Sequence, residues 1–184
     1  CEKCAQWSNR EPALTMSINL SYLQLTEPDF IDYMQETLAA TQVDPHRIIV
    51  EMTESVIASR AHALEHLFQR IHDLGIRIAM DDFGTGYSNI SCALSLPFEY
   101  IKLDRSLLVR LPGDSKVQVF VRSMVETFHA MGQKIVAEGV EEEEQIELLR
   151  QFGVDCVQGY YYGKPMPEDE FRAAVAKGWE EQRR

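Results

Sequence analysis

Ile76-Arg77-Ile78-Ala79-Met80-Asp81-Asp82 is a short apolar run closed by two carboxylates. Five other segments are built the same way: LTMSIN ending at Asn19, IIVE at Glu51, YIKLD with Lys102 and Asp104, KIVAE at Glu138, and CVQ at Gln158. Stretches with helical periodicity separate them. Strand and helix in alternation predict a parallel sheet with helices outside it, and in a closed α/β barrel of this kind the chemistry collects at the C-terminal ends of the strands. Acids, an amide and a lysine would then converge on one mouth. Carboxylates gathered so closely raise one another's pKa unless cations sit among them, so the array reads as a divalent-metal site.

Working outward, the predicted strands are 14–20, 48–53, 76–82, 100–104, 134–139 and 155–161. Residues 1–13 read as the tail of a helix turning at Pro12. Thr26 before Glu27 and Pro28 reads as a helix start, and further helices are expected over 60–74, 115–131 and from Glu168 to about Lys177. The acidic run Glu141–Glu144 opens another helix, where acids complement the helix dipole. The loop FGTGYSN after Asp82 could bring backbone N–H groups to a phosphate. His62, His66 and His72 fall on one helix without a partnering acid motif and read as a solvated face.

Adjacent acids at a strand end point to opposite faces, so Asp81 and Asp82 cannot both cap one helix. Two divalent ions about 3.5–4 Å apart call for a bridging ligand beside another acid, which this pair supplies. Lys102 and Asp104 are two apart and share a face of their strand. A lysine directed into an acidic mouth serves chemistry better than solubility.

The 184 residues suit one domain. A formal net charge of −11 argues against binding a nucleic-acid polymer, although metal ions would admit a phosphate-bearing substrate. No apolar run approaches the ~18 residues of a membrane span, which predicts no membrane contact by this chain. Four cysteines in a chain this size do not make a disulfide framework. Cys1 and Cys4 read as reduced thiols, which places the chain in the cytoplasm.

EMTES at 51–55, DDFGTGYSN at 81–89, IKLDRSLL at 101–108, IVAEGVE at 135–141 and QGYYYGKPMP at 158–167 together resemble the EAL-domain family of cyclic di-GMP phosphodiesterases. SINLSYLQL at 17–25 resembles the family's asparagine strand. The resemblance implies a TIM-type (β/α) barrel. It also implies a two-metal site for Mg²⁺ or Mn²⁺, with Asn19, Glu51 and Asp81 on one ion, Asp81, Asp82 and Glu138 on the other, and Asp81 shared. Lys102, Glu138 and Gln158 would serve the water and phosphate, and Asn19, Asp104 and Glu141 would complete the polar surround of the substrate. Glu54 would hold the loop after the paired aspartates.

The resemblance starts at the helix before the asparagine strand. The Glu-Ala-Leu strand that names the family is not found, and Glu11-Pro12-Ala13-Leu14 lies in the wrong place. The expectation is therefore an N-terminally truncated domain over 1–184, an incomplete barrel of six strands, weak or inactive alone. It would belong to a homodimeric parent, free or membrane-anchored, with an upstream sensory or GGDEF-type domain. A catalytically inactive cyclic di-GMP receptor of the same family is the alternative.

Overall fold

The computed structural model describes residues 1–8, 14–85 and 90–176. Six strands form one parallel sheet in chain order: β1 (Met16–Asn19), β2 (Ile48–Thr53), β3 (Arg77–Phe83), β4 (Tyr100–Leu103), β5 (Lys134–Ala137) and β6 (Cys156–Val157). Among the described residues, β1 and β6 are edges and do not pair with each other. The sheet is a curled half-barrel, fewer strands than a closed TIM barrel needs.

The helices are α1 (Glu2–Ser8), α2 (Tyr22–Leu25), α3 (Phe30–Thr41), α4 (Glu54–Asp73), α5 (Ile90–Ser95), α6 (Arg105–Leu108), α7 (Ser115–Ala130), α8 (Glu143–Phe152) and α9 (Glu168–Ala176). A stripe of Ile57, Leu64, Phe68 and Ile71 buries α4, and Val117, Val121, Met124, Val125 and Phe128 bury α7. Both stripes repeat at helical spacing and cover the outer sheet face. That face supplies Ile48, Val50, Met52, Ile78, Met80, Ile101 and Ile135 to the main core. Phe83 and Phe128 meet edge to face at 5.2 Å, as do Phe68 and Phe98 at 5.5 Å.

The inner face is a separate, thin layer of Ile49, Ala79, Tyr100 and Val136. Each stands two residues before a mouth residue: Glu51, Asp81, Lys102 and Glu138. Side chains alternate across a strand, so the four mouth residues continue the inner face.

Several expected boundaries move. Thr26 starts no long helix. Ser21 caps α2 through a capping box with Gln24, Thr26 is the C-cap of that turn, and the next helix begins at Phe30 after Asp29. Helix α4 begins at Glu54 rather than 60, directly off the end of β2. The last strand is two residues long, not seven, because the chain turns beyond Val157 and Val140 N–H donates to Gln158 O (3.1 Å). Helices α2, α5 and α6 are additional to the expected elements, being too short for periodicity to register. The Pro12 turn, residues 86–89 of the glycine loop and the end of the last helix lie outside the described residues. The three helix histidines are exposed.

Candidate metal centre

Each mouth acid stands within two residues of the end of its strand. Glu51 lies near the end of β2 opposite Asn19 on β1. Glu138 follows β5, its N–H donating to Leu103 O at 3.0 Å. At Asp81 and Asp82 the expected alternation fails. The β3–β4 register shifts between Met80 and Phe83, and Asp82 takes a left-handed φ of 57°. Such a bulge re-aims side chains, and it turns both aspartates to the mouth instead of to opposite faces. Carboxylate oxygens of Asp81, Asp82 and Glu138 consequently lie within 4.8 Å of one another.

Lys102 Nζ is the cation of the cluster. It stands 2.8 Å from Glu51 Oε2, 2.9 Å from Asp81 Oδ1 and 2.7 Å from Glu138 Oε1, and the residue is 4% exposed. Burial alone would depress its pKa, but hydrogen bonds to Glu138, Glu51 and Asp81 override that and hold the ammonium well above the ordinary lysine value. Burial pushes the Glu138 carboxyl up, with neighbouring Asp81 adding to it and Lys102 opposing. Asp82 is likewise raised by burial, then by Asp81 and Asp104. With Glu138 and Asp82 raised, and one lysine among four carboxylates, the site still favours positive charge.

The turn after Asp82 is fastened from below. Glu54, 4% exposed, accepts from Gly84 N–H through Oε2 at 3.1 Å. Asp81 Oδ1 accepts from Asp82 N–H at 3.0 Å, and the Thr85 hydroxyl donates to Asp82 O at 3.0 Å.

Other predicted site residues stand further out. Asn19 is exposed at the end of an edge strand. Asp104 is the N-cap of α6, accepting from Ser106 N–H at 2.8 Å, an ordinary structural role, though its charge reaches Asp82. Glu141 pairs with Arg105 at 3.0 Å on a half-exposed surface. Gln158 is exposed and lines a cavity of about 410 Å³ with Tyr160, Tyr162 and Lys164. Sequence reasoning missed Gln145, which is 4% exposed and hydrogen-bonded at both ends of its amide. The signal was the spacing Glu142-x-x-Gln145, a capping-box pattern.

All candidate ligands present oxygen, the donor set of hard divalent cations. The EAL domain family model matches residues 1–165. The bifunctional diguanylate cyclase/cyclic di-GMP phosphodiesterase MucR of Pseudomonas aeruginosa is 35% identical over 161 residues, covering 88% of this chain and 24% of MucR. The chain thus spans about a quarter of that relative's length. The solved PaMucR phosphodiesterase in complex with c-di-GMP superposes with a TM-score of 0.86 at 32% identity, over 93% of this chain and 70% of that one. The EAL domain of Mycobacterium smegmatis DcpA gives a TM-score of 0.89 at 30% identity, over 97% and 81%. No helix among the described residues is long and apolar enough to cross a membrane. A parallel half-barrel whose strand ends gather these acids around a lysine, matched along nine-tenths of its length, belongs to the EAL domain family.

Proposed function

We propose that this mouth is the centre of a two-metal phosphodiesterase that hydrolyses cyclic di-GMP to linear pGpG. The observation that carries the reading is the bulge that brings oxygens of Asp81, Asp82 and Glu138 within 4.8 Å beside a buried lysine. Asp81, Asp82 and Glu138 would hold one Mg²⁺ or Mn²⁺ ion, and Asn19, Glu51 and Asp81 the other. Ions held there would supply Lewis acidity, lowering the pKa of a water and offsetting charge on the phosphate.

The chain's own groups do the rest. Lys102 balances the carboxylates and supplies positive charge where phosphate oxygens approach. Water adds across one phosphoester bond, leaving a phosphate monoester and a free hydroxyl. Glu54 keeps the Asp81–Asp82 turn fixed through Gly84, so the ligands need no rearrangement. Gln158 offers its amide at the adjoining cavity, where Tyr160 and Tyr162 suit a base and Lys164 a phosphate. The length of the relatives supports a larger parent with a sensory or GGDEF-type partner domain, and MucR's own name includes a diguanylate cyclase.

The test is chromatography of products from a protein carrying this chain, incubated with cyclic di-GMP and Mn²⁺. Linear pGpG should form with Mn²⁺ and not with chelator. Tight binding of cyclic di-GMP with no pGpG would favour the receptor alternative.

A further inference from the structure

Helix α6 sits between the two acid-bearing turns. On one side Leu107 packs over Gly84, two residues past Asp82, where a Cβ would lie 2.5 Å from Leu107 Cδ1. On the other side Arg105 lies over Gly139, next to Glu138, where a Cβ would lie 2.6 Å from Arg105 Cβ. Both glycines have positive φ, 99° and 66°, so each turn is shaped to receive the helix. The start of α6 is tied to the first turn by Asp104 N–H donating to Phe83 O at 3.2 Å.

The other end of α6 is held by Gln145. Its Oε1 accepts from Glu141 N–H and Glu142 N–H at 2.9 and 3.0 Å, and its Nε2 donates to Leu108 O at 2.8 Å. A capping box accounts for the oxygen, which satisfies free N–H groups at the start of α8. It does not account for the nitrogen, which reaches back 37 residues to the last carbonyl of α6. That second bond is buried; Leu108 O also accepts from Leu111 N–H at 3.1 Å, so the amide is the tie from α8 to a carbonyl that the turn after α6 already satisfies.

We propose that Gln145 is a positioning residue: by holding α6 as a wedge, it fixes the spacing between the Asp81–Asp82 turn and the Glu138 turn. The inference rests on the metal-centre reading for its purpose, but the wedge itself can be tested without metal. Gln145→Glu keeps an acceptor for the α8 cap and at neutral pH loses the donor to Leu108 O. Leu107→Ala releases the wedge from the opposite side and serves should the first variant fold poorly.

The experiment is hydrogen exchange of both variants against wild type, followed by Mn²⁺ titration. Exchange should quicken at 82–85 as well as at 139–142, although neither substitution lies in the first segment. Mn²⁺ affinity should fall roughly tenfold or more, as for lost supporting bonds around metal ligands. Unchanged protection at 82–85 in folded Gln145→Glu would overturn the proposal, because a simple cap reaches only its own helix start, whereas Leu107 packs on Gly84 itself and its variant marks how far exchange there can rise. Should wild type take up no Mn²⁺ while exchange at 82–85 rises in the variants, the wedge stands and the metal reading falls.

Discussion

At the C-terminal edge of the sheet, one buried ammonium on Lys102 touches three carboxylates within 3 Å. At the N-terminal edge, Arg77 and Lys134 share Glu99 at 3.8 and 3.4 Å, with Arg77 also donating to the Tyr100 hydroxyl at 2.7 Å. Tyr100 and Lys102 are two residues apart on one strand face, so the two clusters share a scaffold. The lower groups are between 23 and 51% exposed, against 5 to 16% above. In water the lower pairs are screened and nearly optional. In the mouth, each charge depends on its partners, because a buried charge left alone costs far more than the pair gains. The proposed site lies where the electrostatics are least forgiving.

The largest effect should come from Lys102→Ala, which leaves Glu51, Asp81 and Glu138 facing one another without their cation. We expect a loss of roughly 3–5 kcal/mol in chemical denaturation, recovered in part by Mn²⁺, which replaces the missing charge. Equal stability to wild type without metal would end the contrast between the two edges. The Lys102 contribution should hold across neutral pH and fade only above the ordinary lysine range. Its pKa is raised on folding, and such a group loses its stabilising effect as pH climbs through the folded value.

An intermediate case lies at the same lower end, just before β6. Asp155 accepts from Ile135 N–H at 2.8 Å and meets His129 Nε2 at 2.7 Å. Burial opposes ionisation there, but the Ile135 N–H and His129 outweigh it and hold the carboxyl below its usual range. Asp155→Ala should cost about 2 kcal/mol at neutral pH. A depressed acid stabilises above its unfolded pKa and stops doing so as pH falls through the folded one. The gap between wild type and variant, followed by thermal melts, should therefore close below about pH 4. A gap constant with pH would mean packing, not charge.

Glu99→Gln should matter least, under about 1 kcal/mol, and less still in high salt. Urea denaturation at two ionic strengths checks it. A cost matching that of Lys102→Ala would show that exposure does not separate the two edges.

The sheet and the mouth were legible because period-two alternation places Ile49 before Glu51, Tyr100 before Lys102 and Val136 before Glu138 on one face. Helical connections made the sheet parallel, and the curled, incomplete barrel matches the expectation drawn from the family resemblance. What strict alternation misread was the Asp81–Asp82 pair, since a bulge depends on the neighbouring strand and on a left-handed residue that composition does not mark. Gln145 stayed hidden for a related reason. Its cap is local and readable, but its bond to Leu108 O is tertiary. At Asp104 it was the local role that went unread: a polar strand end whose Oδ1 caps α6.

We propose that the mouth is a metal centre organised by Asp81. Calorimetric titration of Mn²⁺ into wild type and Asp81→Asn, with circular dichroism to confirm that both are folded, tests it most directly. Wild type should bind Mn²⁺ and lose affinity as pH falls, since protons compete for the raised Glu138 and Asp82 carboxyls. Asp81→Asn should lose binding, because the shared carboxylate is gone. Equal Mn²⁺ affinity in the two folded proteins would mean that Asp81 organises no metal centre here.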